Sequence, residues 1–200
     1  MKKILAMLLA LVMVLSLAAC ASTQPAAEPA ASSDAPAESG KTYTVGVCQL
    51  VQHEALDAAT QGFVDALKEA LGDAVTIDVQ NASGDSVNCG TIVNGFVSKG
   101  VDLIMANATP ALTAAVSATA DIPILGTSIT AYGVALDIDD FSGTVGGNVS
   151  GTSDLADLQK QAQMILDWFP ETKTVGLLFC SAEPNSRYQI DEVRKALEAQ

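Results

Sequence analysis

Five short stretches of the chain gather side chains suited to holding a small polar molecule. Gln49, Leu50 and His53 form the first, Thr109 and Pro110 the second, and Thr127 and Ser128 the third. Ser153 and Asp154 make the fourth, and Ser181, Glu183 and Asn185 the last. Hydroxyls, amides and helix-start residues dominate these stretches. Exposed N–H groups at helix N-termini attract a carboxylate, and side-chain hydroxyls can supplement them. Asp154 or Glu183 can accept from an ammonium group.

Each residue also has a plainer role open to it. Asp154 precedes a helical pattern and can act as its cap, an interaction of about 1 kcal/mol. Glu183 can be simply solvated, and His53, the single histidine, can be polar surface before a helix. Thr109-Pro110 suits a helix start on its own account, with Pro in the first turn. Thr127 and Ser128 can satisfy backbone groups of their own turn.

Catalytic and cofactor motifs do not fit. Gly126-Thr127-Ser128-Ile129-Thr130 lacks the closing glycine of a nucleophile elbow. There is no Walker A string, and the glycines between residues 143 and 151 do not open a helix directly after a strand, as a dinucleotide fingerprint requires. The single histidine has no evident Ser or Cys partner in sequence. There are four cysteines, with no CxxC and no Cys/His cluster of the zinc-binding kind. Cys48 and Cys180 lie in apolar runs and are predicted to be small buried hydrophobes, so no disulfide framework is expected. The expectation is a binding protein, not an enzyme, with no cofactor and no metal.

The elements that must position these residues begin at Lys41. Thr44–Leu50 is a β-rich run leading into a helical pattern over Glu54–Leu71, where Leu56, Ala59, Phe63, Leu67 and Ala70 recur at three- and four-residue spacing before Gly72. Val75–Val79 is a second strand. Asp85 or Ser86 can cap a helix carrying Val87, Ile92, Phe96 and Val97, which Gly100 closes. Val101–Ala106, a short Ala-rich helix over Pro110–Thr119, and Ile122–Leu125 follow. Strands apolar on both faces, each separated by one helix, predict a parallel sheet covered on both sides. Residues 41–128 therefore read as a Rossmann-like α/β lobe. Thr130–Gly151, with five glycines and no clear periodicity, reads as a crossover between lobes, taken as residues 129–152. Ser153-Asp154 is expected to start the helix Leu155–Phe169. Thr174–Cys180 reads as a buried strand, and a last helix starts near Asn185. Residues 153–200 thus form part of a second lobe, expected to be incomplete in this chain. In open parallel sheets ligands bind beyond the carboxyl ends of the strands, where the five stretches fall.

The first forty residues stand apart from this pattern. Met1-Lys2-Lys3 is basic, Ile4–Leu17 is apolar apart from Ser16, and Leu17-Ala18-Ala19-Cys20 follows. So short an apolar stretch suits a signal-peptide core over residues 1–19 better than a spanning helix. Leu-Ala-Ala-Cys resembles the lipobox of bacterial lipoproteins, which implies a diacylglycerol on Cys20 and an extracytoplasmic, lipid-anchored location. Two acyl chains meet the two-signal requirement for stable anchoring. Residues 21–40, mostly Ala, Ser, Pro and Glu, complete a tether reaching on the order of 25 Å. The net charge of −13 becomes more negative once Lys2 and Lys3 are removed. Such a surface repels phosphate backbones, which disfavours nucleic acid as a partner.

Longer strings carry a family resemblance. Val45 to Asp57 (VGVCQLVQHEALD) resembles the start of substrate-binding lipoproteins of ABC transporters, in particular the tryptophan/tyrosine-type group. Gln80–Asp85, Ala108–Ala111, Asp121–Leu125, Gly146–Asp154 and Ser181–Ser186 continue the likeness in the same order. The chain departs from it at Glu54, where a proline is usual, at Ala131-Tyr132 in place of an Asp-Pro turn, and at Cys48 in place of an aliphatic residue. The resemblance implies a type I periplasmic-binding fold, an α/β protein of two lobes with parallel sheets and a ligand in the cleft. It also implies a permease and an ATPase as partners, an amino acid as ligand, aromatic in this group of the family, and a cleft position for His53. A ligand-sensing lipoprotein of the same fold and an exported α/β hydrolase are the alternatives; the lipobox excludes a transcription regulator.

Overall fold

The computed structural model describes residues 40–199. The predicted signal peptide, Cys20 and the tether through residue 39 lie outside the described residues.

Five parallel strands form one sheet in the order β2-β1-β3-β4-β5. They are β1 (Tyr43–Gln49), β2 (Val75–Asn81), β3 (Leu103–Asn107), β4 (Ile124–Ile129) and β5 (Val149–Ser153). Helix α1 (Glu54–Leu71) joins β1 to β2, α2 (Ser86–Lys99) joins β2 to β3, and α3 (Thr109–Ala118) joins β3 to β4. A one-turn α4 (Tyr132–Ala135) lies between β4 and β5, and α5 (Leu158–Trp168) and α6 (Pro184–Glu198) follow.

The boundaries follow from local chemistry. Asp85 accepts from the Val87 N–H and starts α2, and Gly100, with φ of 66°, closes it through bonds to Phe96 and Val97. Gly72 closes α1. Both faces of the sheet are apolar because both are covered. Val45, Val47 and Met105 pack with Phe63 and Leu67 of α1. On the other face Cys48, Ile104, Ala106 and Ile124 pack with Cys89, Val93 and Phe96 of α2 and Leu112 of α3. Alternation along β1 and β3 thus assigns successive residues to opposite layers. Among the described residues no helix is long and apolar enough to cross a membrane.

The structure corrects five local expectations. The stretch expected to be aperiodic contributes β5, which pairs with β4 from Ile124/Val149 to Ile129/Ser153. Gly126, Thr127 and Ser128, read as a turn, therefore belong to β4, with an irregularity of register after Gly126. Residues 174–180 form no strand, and Leu178 is 98% exposed. A strand is held by ladder bonds to a neighbour, and no described strand lies beside this segment. Cys180 is accordingly exposed, not buried. The helix expected from Leu155 begins at Leu158, capped by Asp157, whose side chain accepts from Lys160. The Asp154 N–H is engaged with Ile129 O at 3.0 Å, so the backbone is still extended there and cannot yet be capped.

Candidate functional site

The order β2-β1-β3-β4-β5 reverses direction between β1 and β3, and at such a switch point the loops leaving neighbouring strands diverge and open a crevice. The carboxyl ends of β1 and β3 are Gln49 and Asn107, paired in register. Both are buried and polar, as are Thr60, Thr109 and Thr130. Three of these five residues end a strand or directly follow one, and Thr109 lies two residues beyond β3. Burying a polar group is costly without a partner, so such a cluster has to be wired together or waiting for a partner.

Most of it is wired. The Thr60 hydroxyl donates to Gln49 Oε1 at 2.6 Å. Asn107 Nδ2 donates to Thr60 Oγ1 at 2.9 Å and to Leu56 O at 2.8 Å. Gln49 Nε2 donates to Val51 O at 2.9 Å and to Asp57 Oδ1. These bonds pin the first turns of α1 across the ends of β1 and β3. His53 starts that helix: its Nδ1 accepts from the Ala55 N–H at 3.2 Å, and the ring is otherwise exposed. Leu50 packs into the core below and donates its N–H to Asn107 O.

The rest is open. Among the described residues neither Asn107 Oδ1 nor Thr109 Oγ1 has a hydrogen-bond partner, though both atoms are buried. Thr109 is the first residue of α3, with Pro110 behind it, so the hydroxyl stands at a helix N-terminus where N–H groups point outward. Between them Ala108 has φ of 90° and ψ of 157°, a region nearly confined to glycine and costing about 1–3 kcal/mol for other residues. Ser128 is also left-handed, with φ of 56°. Strain of this kind gathers where a site over-determines the backbone.

The ends of β4 and β5 carry a second polar group. Ser153 Oγ donates to Thr130 O at 2.9 Å and accepts from the Leu155 N–H. The Tyr132 hydroxyl donates to Gly126 O at 3.1 Å and lies 3.3 Å from Thr152 O, bridging the two strands. Burial, and then the Asp154 carboxylate, push the Tyr132 phenol up to about 12. This explains the local departure at Ala131-Tyr132: a tyrosine here fastens β5 to the sheet. Gly151 leaves the space, because a Cβ there would meet both Gly126 and the Tyr132 hydroxyl.

Gln49, Thr109 and Ser153 lie at or just beyond the carboxyl ends of β1, β3 and β5, but the predicted residues do not share one cavity. Gln49 lines a cavity of about 330 Å³ with Gln52, Asp57 and Asn81. Pro110 lines one of about 430 Å³ between α2 and α3 that reaches Pro184. Ser153 lines one of about 330 Å³ with Thr130, Tyr132, Phe141 and Tyr188. Thr127 sits inside β4, its carbonyl accepting from Ala108. Ser181, Glu183 and Asn185 cluster around the start of α6; Glu183 occupies the cap position without a side-chain bond, and Asn185 Oδ1 is buried and unpartnered among the described residues. Reading by residue type passed over Thr60, Ala108, Thr130 and Tyr132. A threonine on the apolar stripe of α1, four residues after Leu56, was the available signal for the first. Among the described residues there is no His/Cys/Asp/Glu group able to hold a metal ion.

Known proteins agree with this architecture. A model of the ABC transporter substrate binding protein family matches residues 44–200. A tyrosine-binding protein of Clostridioides difficile strain R20291 is 36% identical over 199 residues, covering 96% of this chain and 56% of the relative. An ABC domain from Streptococcus pneumonia, solved in complex with L-Trp, is 35% identical with a TM-score of 0.73 over 80% of this chain and 54% of its own. A ligand-free, open substrate binding protein with adhesive properties from Clostridium difficile is 37% identical, with a TM-score of 0.61 over 80% of this chain and 55% of its own. The chain thus spans about half the length of these relatives. They are binding proteins, and the α/β lobe shares the type I periplasmic-binding fold with them. With that match running from β1 through α6, the chain belongs to the ABC transporter substrate-binding protein family.

Proposed function

We propose that this chain supplies the first lobe, and part of the second, of an extracytoplasmic receptor that captures an amino acid with an aromatic side chain. One observation carries the reading: at the β1/β3 switch point, Asn107 Oδ1 and Thr109 Oγ1 are buried without a described partner, at the N-terminus of α3 and on either side of a strained Ala108. A ligand carboxylate would accept from the Thr109 hydroxyl and the α3 N–H groups. Its ammonium group would donate to an oxygen such as Asn107 Oδ1, with Asp154 or Glu183 as further acceptors. Ser128, Ser153 and Asn185 belong to the same rim, His53 to the wall formed by α1, and Gln49 to the end of β1 bonded to that wall. The names of the relatives, one tyrosine-binding and one solved with L-Trp, support the aromatic class.

In this reading residues 1–19 are a signal peptide, Cys20 is lipidated, and the tether carries a lobe over residues 41–128. The sheet then takes β5 from the 129–152 crossover, and residues 153–200 enter the second lobe. Closure of two lobes on the ligand gives a state that a permease and its ATPase can recognise. The work is done by differential affinity for open and closed states, with no covalent step.

The test is a thermal-shift screen of the mature protein that carries this chain, against L-Tyr, L-Trp, the other amino acids and several sugars. A saturating specific ligand stabilises by a few kcal/mol. Stabilisation by L-Tyr or L-Trp, reduced by Thr109→Val, is expected. Stabilisation by a sugar alone would refute the amino-acid reading.

A further inference from the structure

We propose that Cys48 and Cys89 are a closable thiol pair, which a disulfide oxidant converts to a cross-link tying β1 to α2 directly beneath the Gln49–Leu50 end of the sheet. Both cysteines are fully buried in one apolar cluster. Cys48 lies two residues beyond Gly46 on β1, so the two share a face. Cys89 lies seven residues before Phe96 on α2, so those two share a stripe. Helix and strand run antiparallel in this crossover, and a Cβ added to Gly46 would come within 2.5 Å of the Phe96 ring. With Phe96 seated over Gly46, the register carries Cys89 over Cys48. The two thiols are close enough to influence each other's ionisation accordingly. The neighbouring Cys89 thiol, and burial after it, push the Cys48 thiol well above its ordinary range. It therefore rests protonated, and the pair reacts when α2 opens or before it docks.

The chemistry balances with a small-molecule disulfide such as oxidised glutathione. One cysteine thiolate attacks the glutathione disulfide and releases one glutathione thiol. The second cysteine then attacks the mixed disulfide and releases the other. Two electrons pass to the glutathione sulfurs, and both cysteine protons end on the released thiols. An extracytoplasmic location, which rests on the function proposed above, is where such a bond persists. The pairing itself is measured on the isolated chain, so its failure leaves ligand capture untouched, and the reverse holds too.

The full chain is refolded in oxidised glutathione, its free thiols are alkylated, and it is digested with trypsin without reduction. Cleavage after Lys41, Lys68 and Lys99 places Cys48 in the peptide Thr42–Lys68 and Cys89 in Glu69–Lys99. The expected product is these two peptides joined, absent in Cys48→Ala and in Cys89→Ala. The oxidised protein should melt several degrees above the reduced one, because the link closes a loop of about forty residues in the unfolded chain. Recovery of both peptides as alkylated free thiols while Cys180 is glutathionylated overturns the proposal. So does either cysteine linked to another thiol, or a lower melting temperature on oxidation.

Discussion

Thr60→Val tests whether the buried network at the strand ends holds the site floor together. Valine keeps the shape of threonine and replaces its hydroxyl by a methyl group. Two bonds disappear, the donation to Gln49 Oε1 at 2.6 Å and the acceptance from Asn107 Nδ2 at 2.9 Å. Gln49 Oε1 is left without this donor, and one Nδ2 proton of Asn107 is orphaned, since the other still reaches Leu56 O. Each buried orphan costs about 1–3 kcal/mol, and two of them, less the small gain from burying a methyl, give about 2–4 kcal/mol. That is a large share of the roughly 5–15 kcal/mol that holds an ordinary domain. In urea, with a slope of about 2 kcal/mol/M, the unfolding midpoint should fall by about 1–2 M. Thr60→Ser keeps the hydroxyl and should lose much less. A midpoint that moves by less than about 0.3 M in Thr60→Val at constant slope, or a serine variant as weak as the valine one, would show that the network does not carry the load assigned to it.

Gly151→Ala, whose φ of 151° and absent Cβ let β5 lie against Gly126, should cost more than about 3 kcal/mol and shift the same urea midpoint. Tyr132 makes stability fall at high pH. Its folded pKa is raised to about 12, so its contribution is full below the unfolded value near 10 and is lost as pH climbs towards 12, at most about 2–3 kcal/mol. Tyr132→Phe should flatten that alkaline loss when unfolding is measured between pH 9 and pH 11.5. Ala108→Gly relieves a φ of 90° at the cost of unfolded-state freedom, and should raise Tm by a few degrees. Ala108→Val should lower it.

What the sequence disclosed depended on whether a residue's neighbours in space were also its neighbours in the chain. Asp85, Gly72 and Gly100 act within their own helices, and their roles could be read locally. The strand β5 could not, because Val-Ser-Gly-Thr-Ser has one apolar residue and takes its place from β4. Asn148 fastens its start, donating to Ile122 O at 2.7 Å. The reverse happened at residues 174–180, where an apolar run suggested a strand but no described partner lies alongside. Ser153-Asp154 suggested the helix start, but the Asp154 N–H is bound to Ile129 O, and Asp157, three residues on, accepts from the Lys160 N–H and caps α5 instead. At the site, the hydroxyl and amide residues at strand ends were legible as candidates. Their division into wired ones, such as Gln49, and open ones, such as Thr109, was not, because it depends on Thr60 arriving from α1.

The network also has a place in time. Asn107 reaches back 47 residues to Thr60 and 51 to Leu56. Such bonds form only after β3 has found β1, so the chain must close that long loop before any of them contributes. The floor of the site is therefore assembled late, on a sheet already paired. Loosening it should quicken unfolding and leave the folding rate nearly unchanged, the signature of contacts absent from the transition state.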